Sequence, residues 1–152
     1  MKRKKPWQWW LLILILIVQA LNAIGGGLVM VIAPDGSILQ VSTEMLTGSP
    51  FSNYLIPGLI LMIVLGLIPV VIMYGLISRK KFRWAEKLNL YPAMHWSWTF
   101  TLYICITILI WIFTELLMLQ RFDPLMSIVG LWSVGMLILV MTPGIMKFYT
   151  EE

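Results

Sequence analysis

The strongest constraint on this chain is where its charges are missing. Four stretches, about 7–32, 57–78, 96–119 and 125–141, are apolar almost without interruption. About 20 consecutive apolar residues in a helix cross the hydrocarbon of a bilayer. The pattern therefore predicts an all-α membrane protein: a four-transmembrane-helix bundle forming one integral domain over residues 1–152, with an ordered extracytoplasmic loop between the first and second helices. Composition agrees, since 60% of the chain is hydrophobic and only 12% charged, far outside the range of soluble domains.

Chemistry is limited by the same census. A lone cysteine, Cys105, rules out a disulfide or thiol-pair motif within one chain. One histidine and one cysteine are too few for a nitrogen and sulfur metal centre, so neither metal nor cofactor is expected. The net charge of +4 comes from residues at the ends of apolar runs, where cations set membrane orientation, so nucleic acid is excluded as a partner and membrane lipids are expected.

Lys2, Arg3, Lys4 and Lys5 precede the first span. This start has the form of a secretory signal, with Leu21-Asn22-Ala23 as a poor cleavage site, but the apolar run continues to Ile32 and favours a retained helix. Gln19, Asn22 and Gly26 recur at spacings of three and four, a polar stripe expected to face protein. In the long connection that follows, Pro34-Asp35-Gly36 predicts a turn, Ser37–Val41 a short extended segment, and Ser49-Pro50 the start of a brief helix reaching Leu55. Gly66 and Pro69 lie inside the second span and predict a kink between Leu65 and Pro69. The segment from Arg79 to Lys87 mixes cations with aromatics, as an interfacial segment does. Arg121-Phe122-Asp123-Pro124 predicts a tight final connection, and Pro143-Gly144 ends the fourth span.

Four cations precede span one, five lie between spans two and three and one follows span four, against Arg121 alone in the other two connections. Both termini are therefore expected on the cytoplasmic side. Trp7, Trp9, Trp10, Trp84, Trp96 and Trp98 all fall at that side and read as an aromatic belt.

Glu115 is the one full charge inside a span, and an ionisable residue at membrane depth is a functional candidate by default. At 1.5 Å per residue it stands roughly 28 Å from Trp96, in the outer leaflet, level with Gly25–Gly27, Pro57-Gly58, Ser127 and Gly130. Asn22, one turn deeper, is its expected hydrogen-bond partner, with Trp111, Ile108 and Ile104 as a wall beneath. The functional reading is an outer pocket for a lipid or amphiphile, built from Glu115, Asn22, Gln19, Trp111, Gly26 and Ser127 and roofed by the loop from Pro34 to Phe51. The structural reading is a carboxyl that fixes helix packing through Asn22, Gln19 or Arg121. His95 reads either as an interfacial anchor or as a sensor of cytoplasmic pH. Ser127, Gly130 and Ser133 form a small-residue stripe suited to close packing of the fourth span.

At Ser49-Pro50-Phe51, at Ile56-Pro57-Gly58-Leu59-Ile60 and at Ile110-Trp111-Ile112 with Glu115, the chain resembles small bacterial four-span proteins described only as hypothetical membrane proteins. The resemblance implies a bacterial inner-membrane location and a compact bundle, and carries no biochemical role. The expected function is that of a non-enzymatic membrane protein, binding a lipid near Glu115 or serving as an accessory subunit in a homo-oligomer or larger complex. The alternative is a small dimeric transporter in which Glu115 carries the coupling proton.

Overall fold

The computed structural model describes residues 4–119 and 124–151; residues 1–3, 120–123 and 152 lie outside them, Lys2, Arg3 and Arg121 of the basic count included. Among the described residues the chain is helical between its connections, without a strand: α1 (Trp7–Ile32), a 3-10 turn (Thr43–Leu46), α2 (Leu55–Ser78), α3 (Arg83–Lys87), α4 (Trp96–Leu119), α5 (Pro124–Val140) and α6 (Pro143–Tyr149). Three of them, α1, α2 and α4, are each long and apolar enough to cross a membrane. A fourth is reached if α5 and α6, bent by 60°, count as one broken span.

Helix α1 begins where Pro6 holds extended backbone and its carbonyl accepts from the Trp9 amide at 3.0 Å. It stops because Ala33 precedes Pro34, whose ring excludes the helical conformation for the residue before it. Apolarity alone cannot choose the buried face of such a helix, since lipid is as apolar as leucine; small residues and shape decide. The decision falls at Gly27, where an added Cβ would stand 2.6 Å from the Gly58 carbonyl oxygen and 2.7 Å from Met62 of α2. The two backbones touch there.

The long connection departs from expectation. Ser37–Val41 is a run of turns, not an extended segment: the Val41 amide donates to the Gly36 oxygen at 3.1 Å, with Gly36 at φ 79° and Gln40 at φ 54°. Ser49-Pro50 does not start a helix either, because the Ser49 hydroxyl is taken by the Phe51 amide at 3.2 Å in a local turn. Tyr54 gathers the segment, its amide donating to Pro34 at 2.8 Å and its hydroxyl to Ser42 at 2.9 Å. The Thr43–Leu46 turn rests on α4, with Leu46 buried.

Helix α2 therefore starts at Leu55, and Pro57 falls in its first turn, where no amide donor is required. The irregularity expected before Pro69 takes the form of a π-helical stretch over Leu61–Leu67, in which the Ile68 amide bonds back five residues to Ile63. Proline has no amide to offer Leu65, and the wider turn ahead of it re-pairs its neighbours. Arg79, left-handed at φ 53°, closes the helix by donating to Gly75 at 2.9 Å.

Helix α1 packs on α2, the later half of α2 on α4, α4 on α5, and α5 returns to α1. Thr142, held extended before Pro143, breaks the chain between α5 and α6 and caps the break by donating its hydroxyl to Leu139 at 2.8 Å. Helix α6 then turns under the bundle, with Ile145 and Tyr149 fully covered. The strip after it pairs with the entry to α4, His95 donating to Tyr149 at 2.9 Å and Glu151 to Ala93 at 2.8 Å.

The tryptophan belt is corrected in half of its members. Trp7, Trp10 and Trp84 are exposed, but Trp9, Trp96 and Trp98 are 2%, 0% and 3% exposed and belong to the core. Each buried indole N–H finds an acceptor on another element: Trp9 on the Tyr149 hydroxyl at 2.7 Å, Trp96 on Lys80 at 2.8 Å and Trp98 on Val140 at 2.9 Å. Charge and hydropathy place tryptophan at an interface; only packing separates a belt from a core.

Candidate functional site

Glu115 lies half-buried near the end of α4 that faces away from the basic termini, with Trp111 of its own helix as a hydrogen-bonding neighbour. Of the wall expected beneath it, Ile104 and Ile108 are core residues and Trp111 packs against that core. The rest of the constellation does not assemble. Asn22 is exposed and its amide donates to Val18 in its own helix at 2.9 Å. The polar stripe is therefore split: Gln19 is buried and Asn22 is exposed, as α1 packs chiefly on α2 and to a lesser extent on α5. Gly26 is covered by Leu61 of α2, and Phe51 and Ser127 are half-buried. The bond to Arg121 considered for the carboxyl lies outside the described residues.

The small-residue stripe of α5 is likewise divided. Ser133 is buried and donates to the Cys105 carbonyl at 2.7 Å, tying α5 to α4, while Gly130 faces open space.

The better-formed site is elsewhere. Between α1 and α5 runs an open apolar groove of about 590 Å³, lined by Leu11 and Ile15 on one side and by Ile128, Leu131, Trp132, Gly135 and Leu139 on the other. Its size falls within the roughly 300–1,000 Å³ typical of small-ligand sites. Gly135 makes the room: nothing lies within 4 Å of a Cβ placed on it. From Ile128 to Thr142 the groove spans about 21 Å at 1.5 Å per residue, longer than one leaflet of a bilayer whose hydrocarbon is about 30 Å thick. Sequence offered a faint sign of it, a glycine one turn from Trp132, with Leu139 and Thr142 following at helical spacing.

No protein-family model, curated protein or solved structure matches this chain. The site is therefore read from its own geometry.

At the basic end of the same seam a second hollow of about 530 Å³ is lined by Lys4, Pro6, Gly144, Lys147, Phe148 and Thr150. Beside it the core holds a polar knot absent from the expected site: the Tyr149 hydroxyl, which receives the Trp9 indole, donates to Leu76 at 2.7 Å, and His95, 1% exposed, pairs Nδ1 with the Ser97 hydroxyl at 2.8 Å. Arg79 reaches across to the Phe148 carbonyl at 3.0 Å, and Lys81 pairs with Glu151. Apart from the local pair of His95 and Ser97, each of these contacts joins elements far apart in sequence, which is why spacing could not reveal them. Burial holds the His95 imidazole below its ordinary 6.5, against the opposing pull of the Glu151 and Glu86 carboxylates.

Proposed function

We propose that the protein is a bacterial inner-membrane protein of four spans, with both termini and the Arg79–Lys87 segment in the cytoplasm, that holds a lipid along the seam between α1 and α5. The orientation is supported by the excess of cations at one end, where the start of α1, the Arg79–Lys87 segment and the C-terminal strip are joined by hydrogen bonds and an ion pair. The observation that carries the lipid reading is the groove itself: wide, apolar throughout its middle and long enough for an acyl chain of one leaflet. A lipid tail there covers backbone and side chains that the helices leave apart, so its role is that of a structural ligand or of cargo handed to a larger membrane assembly. This reading moves the lipid from the neighbourhood of Glu115 to the seam between α1 and α5. The transporter alternative keeps Glu115 as its single handle and requires a dimer that buries the exposed face carrying Asn22.

The test is lipid retention, measured by native mass spectrometry of protein released from nanodiscs. Gly135→Trp, at a position where a Cβ meets nothing within 4 Å, places an indole in the groove and should remove most of the retained lipid. Gly25→Trp, at an exposed glycine of α1 with nothing within 4 Å, should leave it unchanged. Equal retention in both variants and the wild type would reject the groove.

A further inference from the structure

We infer that His95 is a pH-operated clasp: a proton taken up on its Nδ1 uncaps α4 and releases the strip after α6 from the basic face of the bundle. The Ser97 amide stands 3.3 Å from that nitrogen and the Ser97 hydroxyl 2.8 Å from it. An amide can only donate, so Nδ1 accepts and the neutral ring carries its hydrogen on Nε2. His95 immediately precedes α4, and its carbonyl receives the Trp98 amide at 2.9 Å. Its side chain therefore fills the place of an N-cap and satisfies the second free amide of the helix. Protonation turns that acceptor into a donor facing another donor. It also sets a positive charge against the positive end of the helix dipole.

The same residue holds the strip. Its amide donates to the Tyr149 carbonyl at 2.9 Å, Met94 bridges Thr150 in antiparallel sense, and the Glu151 amide donates to Ala93 at 2.8 Å. The ring is 1% exposed, and its Nε2 has no well-aligned hydrogen bond among the described residues. A charged ring thus finds no strong acceptor on either side while the clasp is shut. Around it stand the Tyr149 ring at 6.3 Å, Glu151 of the strip with its partner Lys81, Glu86 of α3, and Arg79 at the close of α2. Burial, the largest effect, and the Arg79 guanidinium oppose the charge, while the two carboxylates and the Arg79 backbone favour it; burial prevails. Opening the strip removes that burial, so proton uptake and release of the strip are linked.

Hydrogen exchange of the full chain in nanodiscs, read by mass spectrometry at pH 7.5 and 5.5 and corrected for the intrinsic pH dependence of exchange, tests the clasp. With the released imidazole at about 6.5 and the enclosed one lower, the His95 and Glu151 amides should open about 3- to 10-fold more often at pH 5.5, while amides at the centre of α2 keep their protection. His95→Asn, whose side chain caps a helix and takes up no proton, should show no such change. His95 is the only histidine of the chain, so its ring resonances in the wild type follow its protonation directly, and their midpoint should coincide with the loss of protection. Constant protection in the wild type overturns the clasp, and so does an equal loss in α2, which is unfolding of the whole bundle. A pH effect retained in His95→Asn, or a ring midpoint away from the exchange transition, overturns His95 as the trigger.

Discussion

His95 and Trp96 show how much a single residue's neighbours matter at the edge of a membrane. In sequence both sit between a basic segment and an apolar run, the place for polar anchors and belt tryptophans. In the fold His95 is sealed by Tyr149 at the end of α6, which the chain reaches only some fifty residues later, and Trp96 by Gly75 of α2 and the Phe82 and Trp84 rings. Sealing the imidazole favours its neutral form. The unfolded chain binds a proton near 6.5 and the folded chain only at lower pH, so stability is fully present above the unfolded value and declines as pH falls beneath it. Unfolding in detergent should show this loss between pH 7.5 and 5, with a slope of at most about 1.4 kcal/mol per pH unit. In His95→Gln, which keeps a polar partner for Ser97, the slope should flatten; an unchanged slope would refute the assignment to His95.

Among the elements, α1 and α2 are joined by absence of side chain. Gly25, Gly26 and Gly27 are indistinguishable as a string, yet they meet open space, the tip of Leu61 and the backbone of α2 respectively. Gly27→Ala should cost about 1–3 kcal/mol, because the nearest atoms belong to the Gly58 carbonyl and the Met62 backbone and the helices must move apart. Gly25→Ala should leave stability unchanged or raise it by roughly 0.5–1 kcal/mol through helix propensity. Thermal unfolding of the two variants in one detergent decides, and equal losses would refute the close approach. Proline acts through the same geometry. Pro69 is absorbed by a π-helical turn inside α2, while Pro143, preceded by an extended threonine, turns α6 by 60°. Both prolines stand in apolar runs, and what separates them is whether the upstream amides can re-pair within the same helix.

On the scale of the molecule, the basic segments meet at one end, and the long connection between α1 and α2 lies at the other. Cys105 is fully buried, so the natural thiol should stay silent toward a membrane-impermeant maleimide and need not be removed for topology mapping. Ser37→Cys, exposed in the long connection, should label in intact cells, and Lys87→Cys only after the membrane is opened. Labelling of Lys87→Cys in intact cells would reverse the proposed orientation. Hydropathy and charge by themselves determined the helical class, the positions of the long helices to within a few residues and the end at which the cations collect, because each follows from local composition and a fixed rise per residue. Which faces of those helices meet was decided by the tertiary structure alone. In apolar surroundings the pattern of hydrophobicity carries no inward direction, so glycine contacts, the Pro143 elbow and the hydrogen bonds of three buried indoles set the packing. That packing split the polar stripe of Gln19 and Asn22, left Glu115 without its expected partner, and opened the seam between α1 and α5.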